Sequence, residues 1–285
     1  MRVAMIMSNY PELSEKFLIN QVEGLVAAGV ELDVYAAHDF APQGAAAATL
    51  RPASYVRYVG VPRSNLARLA SYPAEAAKAL AARPEAFLRS LDFRAYGTAA
   101  RNLKLLPFAR SFAGRRYDAV HCHFGWNGLI GAYLKDLGAA ERLLVSFHGS
   151  DINSYPSRYG EGIYAGMYGR ADVVTSNTNF TNDKVVANGC PREKTAIIPE
   201  CLPTADYPMV DPAGREKRTL LTVGRLVEKK GHRYTLEAVA KLADRFPDLR
   251  YLVAGDGPLR VDLEARSPRL GIPDRVACLG RCAHG

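Results

Sequence analysis

The sequence lacks any apolar run approaching the ~20 residues that a membrane-spanning helix needs, so none is expected. Its N-terminus, MRVAMIMSNYPE, is too short for a signal h-region with a cleavage site and reads instead as a first buried strand. Cysteine is scarce. The five present (Cys122, Cys190, Cys201, Cys278 and Cys282) form no C-x-x-C pair. An odd count without that spacing argues against a zinc ribbon or a disulfide framework and suits the reduced thiols of a cytoplasmic protein. No aromatic-interleaved basic motif occurs, so nucleic acid is not an expected partner. Neither half carries G-x-G-x-x-G after its first strand, which disfavours a dinucleotide oxidoreductase.

Positive charge is in excess. The 285 residues carry a net charge of +8, which favours an acidic partner such as a phosphorylated substrate or an anionic membrane surface. Basic residues recur from Arg83 to Arg116, through Arg89, Arg94, Arg101, Lys104, Arg110 and Arg115. They read as solvated helix faces or as a membrane-docking surface.

Strand and helix patterns alternate along the chain. Val3 to Met7 make a strand, and Ser14 can cap a helix carrying Phe17, Leu18, Val22, Leu25 and Val26 on one face. A second strand covers Glu31 to Ala37, residues 38–54 read as a mobile loop, and Tyr55 to Val59 form a third strand. A long helical region follows over 66–112, with interruptions expected at Pro73, Pro84 and Pro107. Strands at 117–121, 142–147, 172–176 and 195–198 then alternate with helices near 129–137, 162–169 and 180–188. Pro199 to Arg215, with its prolines and no period, marks a linker. Beyond it a second series begins, with strands at 219–223, 250–254 and 276–279 and helices at 233–245 and 258–266. Two βαβ series imply two Rossmann-like, doubly wound α/β domains, 1–203 and 204–285, facing across a cleft. The second stops just after a strand and is expected to be incomplete.

The chemistry gathers at strand ends. In TLLTVGRLVEKKG, a buried strand (Leu220, Leu221, Val223) runs into Gly224, then Arg225, Lys230 and a helix. Glycine permits close backbone approach, the helix start supplies free N–H groups and the cations supply charge, a combination suited to an anion. Gly255-Asp256-Gly257-Pro258 closes the next strand, as a turn or as a lining of the same cleft. In the first half, His121 and His123 share one face of a strand, but no further ligand set supports a metal there. His121 reads as a core residue and His123, at the strand end, as a cleft residue. His148 stands at the end of another strand, where an imidazole can donate to a substrate hydroxyl or a leaving oxygen. Asp151 either orients it or caps the next segment. Ser14 and Glu15 occupy the first βα loop, where helix capping and an acceptor contact are both open.

With these pieces in place, the chain resembles the retaining GT-B glycosyltransferases of family four, of the colanic-acid and exopolysaccharide type. YPELSEKF, HCHFG, FHGSDI, GRLVEKKG, GDGPLR and VACLGR follow in the family's order. The resemblance implies a GT-B fold and transfer of a sugar from a nucleotide-diphosphate sugar to a saccharide, or lipid-linked saccharide, acceptor. It implies no cofactor and no metal, and a cytoplasmic protein lying peripherally on the inner face of the plasma membrane. It assigns Arg225 and Lys230 to the donor diphosphate and His148 to the transferred sugar and departing phosphate oxygen. Gly224, Gly255, Gly257, Leu279, Gly280 and Arg281 fall on the donor side; Ser14, Glu15, His123 and Asp151 fall on the acceptor side. The family's paired glutamates, Glu-x7-Glu, would lie downstream of the last residue, which implies weak donor binding or an inactive chain as it stands. Alternatives are a GT-B nucleotide-sugar epimerase and a non-catalytic nucleotide-sugar-binding or partner protein.

Overall fold

The computed structural model describes residues 1–12, 15–39, 54–200, 202–204, 207, 209, 211–214 and 218–282. The chain divides into two compact units, Met1–Thr204 and Ala205–Gly285. In the first unit, the opening elements are β1 (Arg2–Tyr10), α1 (Lys16–Ala27), β2 (Glu31–Asp39) and β3 (Val56–Tyr58). Four helices follow: α2 (Asn65–Ala82), α3 (Pro84–Ser90), α4 (Phe93–Arg101) and α5 (Leu105–Ser111). Then come β4 (Tyr117–His123), α6 (Gly125–Asp136), β5 (Ala140–Phe147), α7 (Ser150–Asn153), α8 (Tyr155–Tyr159) and α9 (Ala165–Arg170). The unit closes with β6 (Val173–Ser176), α10 (Asn179–Ala187) and β7 (Thr195–Ile197).

Its seven strands pair in parallel in the order β3-β2-β1-β4-β5-β6-β7. The alternation of β1 explains its unbroken apolar run. Val3, Met5 and Met7 join the cluster under Leu18, Ile19 and Val22 of α1, while Ala4 and Ile6 join the larger cluster on the opposite face. Glycines bring α6 against the sheet: a Cβ on Gly125 would meet the Phe147 ring at 2.5 Å, and one on Gly131 would meet Cys122 Sγ at the same distance.

Two expectations change here. Pro73 does not interrupt α2, which runs from Asn65 to Ala82. The proline lies on the exposed side of the helix, where water can satisfy the carbonyl it leaves free. Pro84 and Pro107 instead sit in the first turns of α3 and α5, where no intrahelical N–H is missed. Of the residues expected to be a loop over 38–54, His38 and Asp39 instead belong to β2. Residues 40–53 lie outside the described residues.

The second unit holds β8 (Thr219–Val223), α11 (His232–Leu242), β9 (Arg250–Ala254), α12 (Arg260–Arg269) and β10 (Val276–Gly280), with parallel strand order β10-β9-β8. Both crossovers step the same way across this sheet, so right-handed connections bring α11 and α12 to one face. That face carries the core of Leu236, Val239, Tyr251, Val253 and Leu263. The expectation that β8 is buried is corrected: Leu220, Leu221 and Val223 are 43%, 60% and 74% exposed. β8 is an edge strand, and Leu221 and Val223 point away from the helices.

Candidate active site

In the first sheet the strand order reverses at β1 and β4, the position where open α/β sheets bind ligands beyond the strands' carboxyl ends. His123 ends β4, and His148 follows β5, the neighbouring strand. Gly149, at φ +108°, turns the chain sharply after it. Asp151 then reaches back. Its Oδ1 accepts from the His148 amide at 3.1 Å, and its Oδ2 accepts from the Gly125 amide at 2.9 Å. The side chain is fully buried, and burial pushes its carboxyl up while those donors pull the other way. Asp151 therefore fixes the backbone beneath His148 and ties it to the start of α6. It does not reach the surface where an acceptor could meet it, which corrects its expected acceptor-side place.

His123 is corrected similarly. It is 1% exposed because its strand is covered on both faces. Its Nδ1 lies 3.1 Å from His148 Nε2, and its own Nε2 is buried without a partner. Burial, with His121 and His148 adding to it, holds this ring neutral, its pKa well below the usual histidine range. His121, expected in the core, instead lines a cavity of about 580 Å³ together with His148, Phe17, Asn177 and Glu200. Its Nε2 meets Ser146 Oγ at 2.7 Å, and that hydroxyl meets Thr175 Oγ1 at 2.6 Å. Burial, then the electrostatic influence of nearby His148, lowers the His121 pKa to about 4.

Sequence reasoning missed three neighbours of His148. Phe17 and Phe124 each pack on its ring with centroids 4.8 Å apart. Glu200 Oε1 lies 3.3 Å from His148 Nδ1 and also accepts from Asn177 Nδ2 at 3.2 Å. Phe17 carried an amphipathic-helix signal and closed the YPELSEKF motif without being tied to His148, and Glu200 stood in a segment without a period. Glu15 caps α1 at N-cap without a side-chain bond to the helix, and Ser14 lies outside the described residues.

In the second unit the strand ends pack by backbone. The Gly224 amide donates to the Ala254 carbonyl at 2.9 Å, and the Gly255 amide to the Gly280 carbonyl at 2.7 Å. A Cβ at Gly255 would overlap the Gly224 carbonyl oxygen, and one at Gly257 would sit 2.6 Å from that of Leu226. These two glycines are thus required by the approach of one strand-end loop to the next. The Lys230 side chain crosses over Gly224, with Cε 3.7 Å from where a Cβ would stand. Arg225 and Lys230 are exposed, and among the described residues neither has a carboxylate partner, whereas nearby Glu228 pairs with Arg233 at 2.9 Å. Leu279 is 49% exposed, and Arg281 lies 3.7 Å from Asp256.

Residues 15–201 match the Glycosyl transferase 4-like domain family, and residues 210–285 match Glycosyl transferases group 1. The chain belongs to the glycosyltransferase 4-like family. The chain is 26% identical over 270 residues to the putative colanic acid biosynthesis glycosyltransferase WcaL of Escherichia coli, across 90% of itself and 65% of that protein. It is 24% identical over 302 residues to the amylovoran biosynthesis glycosyltransferase AmsK of Erwinia amylovora, across 98% of itself and 70% of AmsK. The chain thus spans about two thirds of the length of these relatives. Anabaena HepE, solved in complex with UDP and glucose, superposes with a TM-score of 0.65 at 19% identity, over 100% of this chain and 70% of HepE. Sucrose-phosphate synthase of Thermosynechococcus elongatus gives 0.63 at 16%, over 100% and 71%. These likenesses show the α/β fold of the GT-B class.

Proposed function

We propose that this glycosyltransferase chain moves a sugar from a nucleotide-diphosphate sugar to a lipid-linked saccharide, with retention, in the making of an exopolysaccharide or cell-surface polysaccharide. The observation that carries the reading is the pair of exposed cations, Arg225 and Lys230, without carboxylate partners among the described residues, at the carboxyl end of a parallel sheet, with Lys230 lying over bare Gly224. As the donor's C1–O bond breaks, a nucleoside diphosphate gains negative charge beside an oxocarbenium-like C1. A guanidinium, which can bind two oxygens at once, and an ammonium stabilise that charge. The acceptor oxygen bonds to C1, and its proton passes to the departing phosphate oxygen. His148 is the group assigned to meet the transferred sugar and that oxygen. HepE's complex with UDP and glucose, and the exopolysaccharide roles in the names of WcaL and AmsK, support donor and pathway class.

A membrane surface as the place of work is supported by charge and apolar exposure together. Residues 57–116 hold twelve Lys and Arg against three Asp and Glu, a net of +9 that exceeds the +8 of the whole chain. On α2 and α3 they flank exposed Leu66, Leu69, Leu80 and Leu88.

The test is thermal shift with UDP-glucose and GDP-mannose, followed by product detection with a polyprenyl-diphosphate-linked sugar. One donor is expected to raise the melting temperature by mass action, and Arg225→Ala or Lys230→Ala to remove that rise. Loss of either cation should lower turnover by about 10²–10³-fold. Near-normal turnover in either variant removes its assignment.

A further inference from the structure

The two ring nitrogens of His148 face different partners. Nε2 points inward to His123 Nδ1 at 3.1 Å, and Nδ1 points to the cavity wall, where Glu200 Oε1 stands 3.3 Å away. His123 is 1% exposed, so only Nδ1 lies on the side a substrate can reach. A neutral imidazole carries its proton on one nitrogen, and the neighbours decide which. An ionised carboxylate can only accept. Hydrogen bonding to His148 and to Asn177 also holds the Glu200 carboxyl below its ordinary range, in its accepting form. Among the described residues, the other titratable groups beside the ring or in its cavity are His121 and His123 from β4, Asp151 from α7 and Glu23 from α1, and Asp151 is engaged with backbone amides.

We propose that Glu200 is a positioning residue that keeps the His148 proton on Nδ1, the cavity-facing nitrogen. With the proton there, His123 donates from its Nδ1 to His148 Nε2, and the contact between the two rings is satisfied. Without an acceptor at 200, the reverse arrangement becomes equally available: His148 Nε2–H donates inward and a bare lone pair faces the cavity. A lone pair there repels a departing phosphate oxygen, whereas Nδ1–H donates to it. Glu200 stands where a substrate oxygen would accept and yields that place as the substrate arrives. This role rests on the reading of His148 as the group that meets the transferred sugar, but the protonation pattern exists without any substrate.

The experiment is imidazole ¹⁵N NMR on the full chain near neutral pH. The sequence has six histidines, and His148→Gln assigns the His148 signals by their loss. The parent should show His148 as the Nδ1–H tautomer. Glu200→Gln, whose amide oxygen still accepts, should keep it, and Glu200→Leu should move the population toward Nε2–H. In transfer assays, Glu200→Leu should lower kcat by about 10²-fold, the low end of what a positioned proton donor contributes, with donor KM little changed and Glu200→Gln largely restoring turnover. An Nε2–H tautomer in the parent, or an unchanged Nδ1–H tautomer in Glu200→Leu, overturns the proposal. The expected tautomer shift in a chain that transfers no sugar would sink the transferase reading and leave this one standing.

Discussion

Burial settles the protonation of the two strand histidines, and that has a consequence for stability. His121, lowered to about 4, and His123, held well below the usual histidine range by burial, stay neutral in the native state through mildly acid pH. The unfolded chain takes up protons at both positions near pH 6.5. Stability tied to them is therefore complete above pH ~6.5 and is lost as pH falls toward the folded values. For His121 the loss between pH 6.5 and 5 should be on the order of 1–2 kcal/mol. Urea midpoints across that range should fall less steeply in His121→Asn than in the parent; equal slopes would show that the ring titrates freely in the folded protein.

The second unit shows how one loop dictates the sequence of another. Leu226 donates its amide to the Asp256 carbonyl at 2.9 Å and accepts from the Leu259 amide at 3.1 Å, which clamps the GRL turn onto the GDG turn. This contact leaves no room for side chains at 255 and 257. Gly255→Ala should cost about 1–3 kcal/mol as the backbones are forced apart. It should also weaken donor binding, because Gly224 and the Lys230 side chain above it shift with the loop. An unchanged melting temperature for this variant would mean that the two loops do not meet as described.

Charge is segregated along the whole chain. Outside residues 57–116 the balance is twenty-five Lys and Arg against twenty-six Asp and Glu, so the basic excess belongs to one helical stretch. Attraction to an anionic bilayer should therefore act through α2 to α5 and weaken with salt. Among the described residues no helix is long and apolar enough to cross a membrane, so contact through these helices would be lateral. Co-sedimentation should favour phosphatidylglycerol vesicles over phosphatidylcholine ones. Leu66→Glu with Leu69→Glu should reduce that binding by about tenfold or more, given what burying a leucine contributes. Equal binding to both lipids would remove the membrane from the reading.

Most of the architecture was legible in the amino-acid order because its signals are local. Strand and helix periods, glycine and proline punctuation, and the cations after Gly224 all arise within a few residues of one another. The strands from β4 to β10, and the helices α6 and α9 to α12, stand within a few residues of where those patterns put them, whereas the short helices α7 and α8 carried no such pattern. What depended on distant segments was not legible. That Glu200 faces His148 across fifty-two residues, that Asp151 serves backbone amides, and that His121 rather than His123 lines the cavity all follow from strand order and register. The open side of β8 followed from the direction of two crossovers. Local sequence specifies which element forms and what chemistry it carries, because those free energies are short-ranged; only the packed sheet decides which side chains meet, because burial and hydrogen-bond partners are properties of the assembled chain.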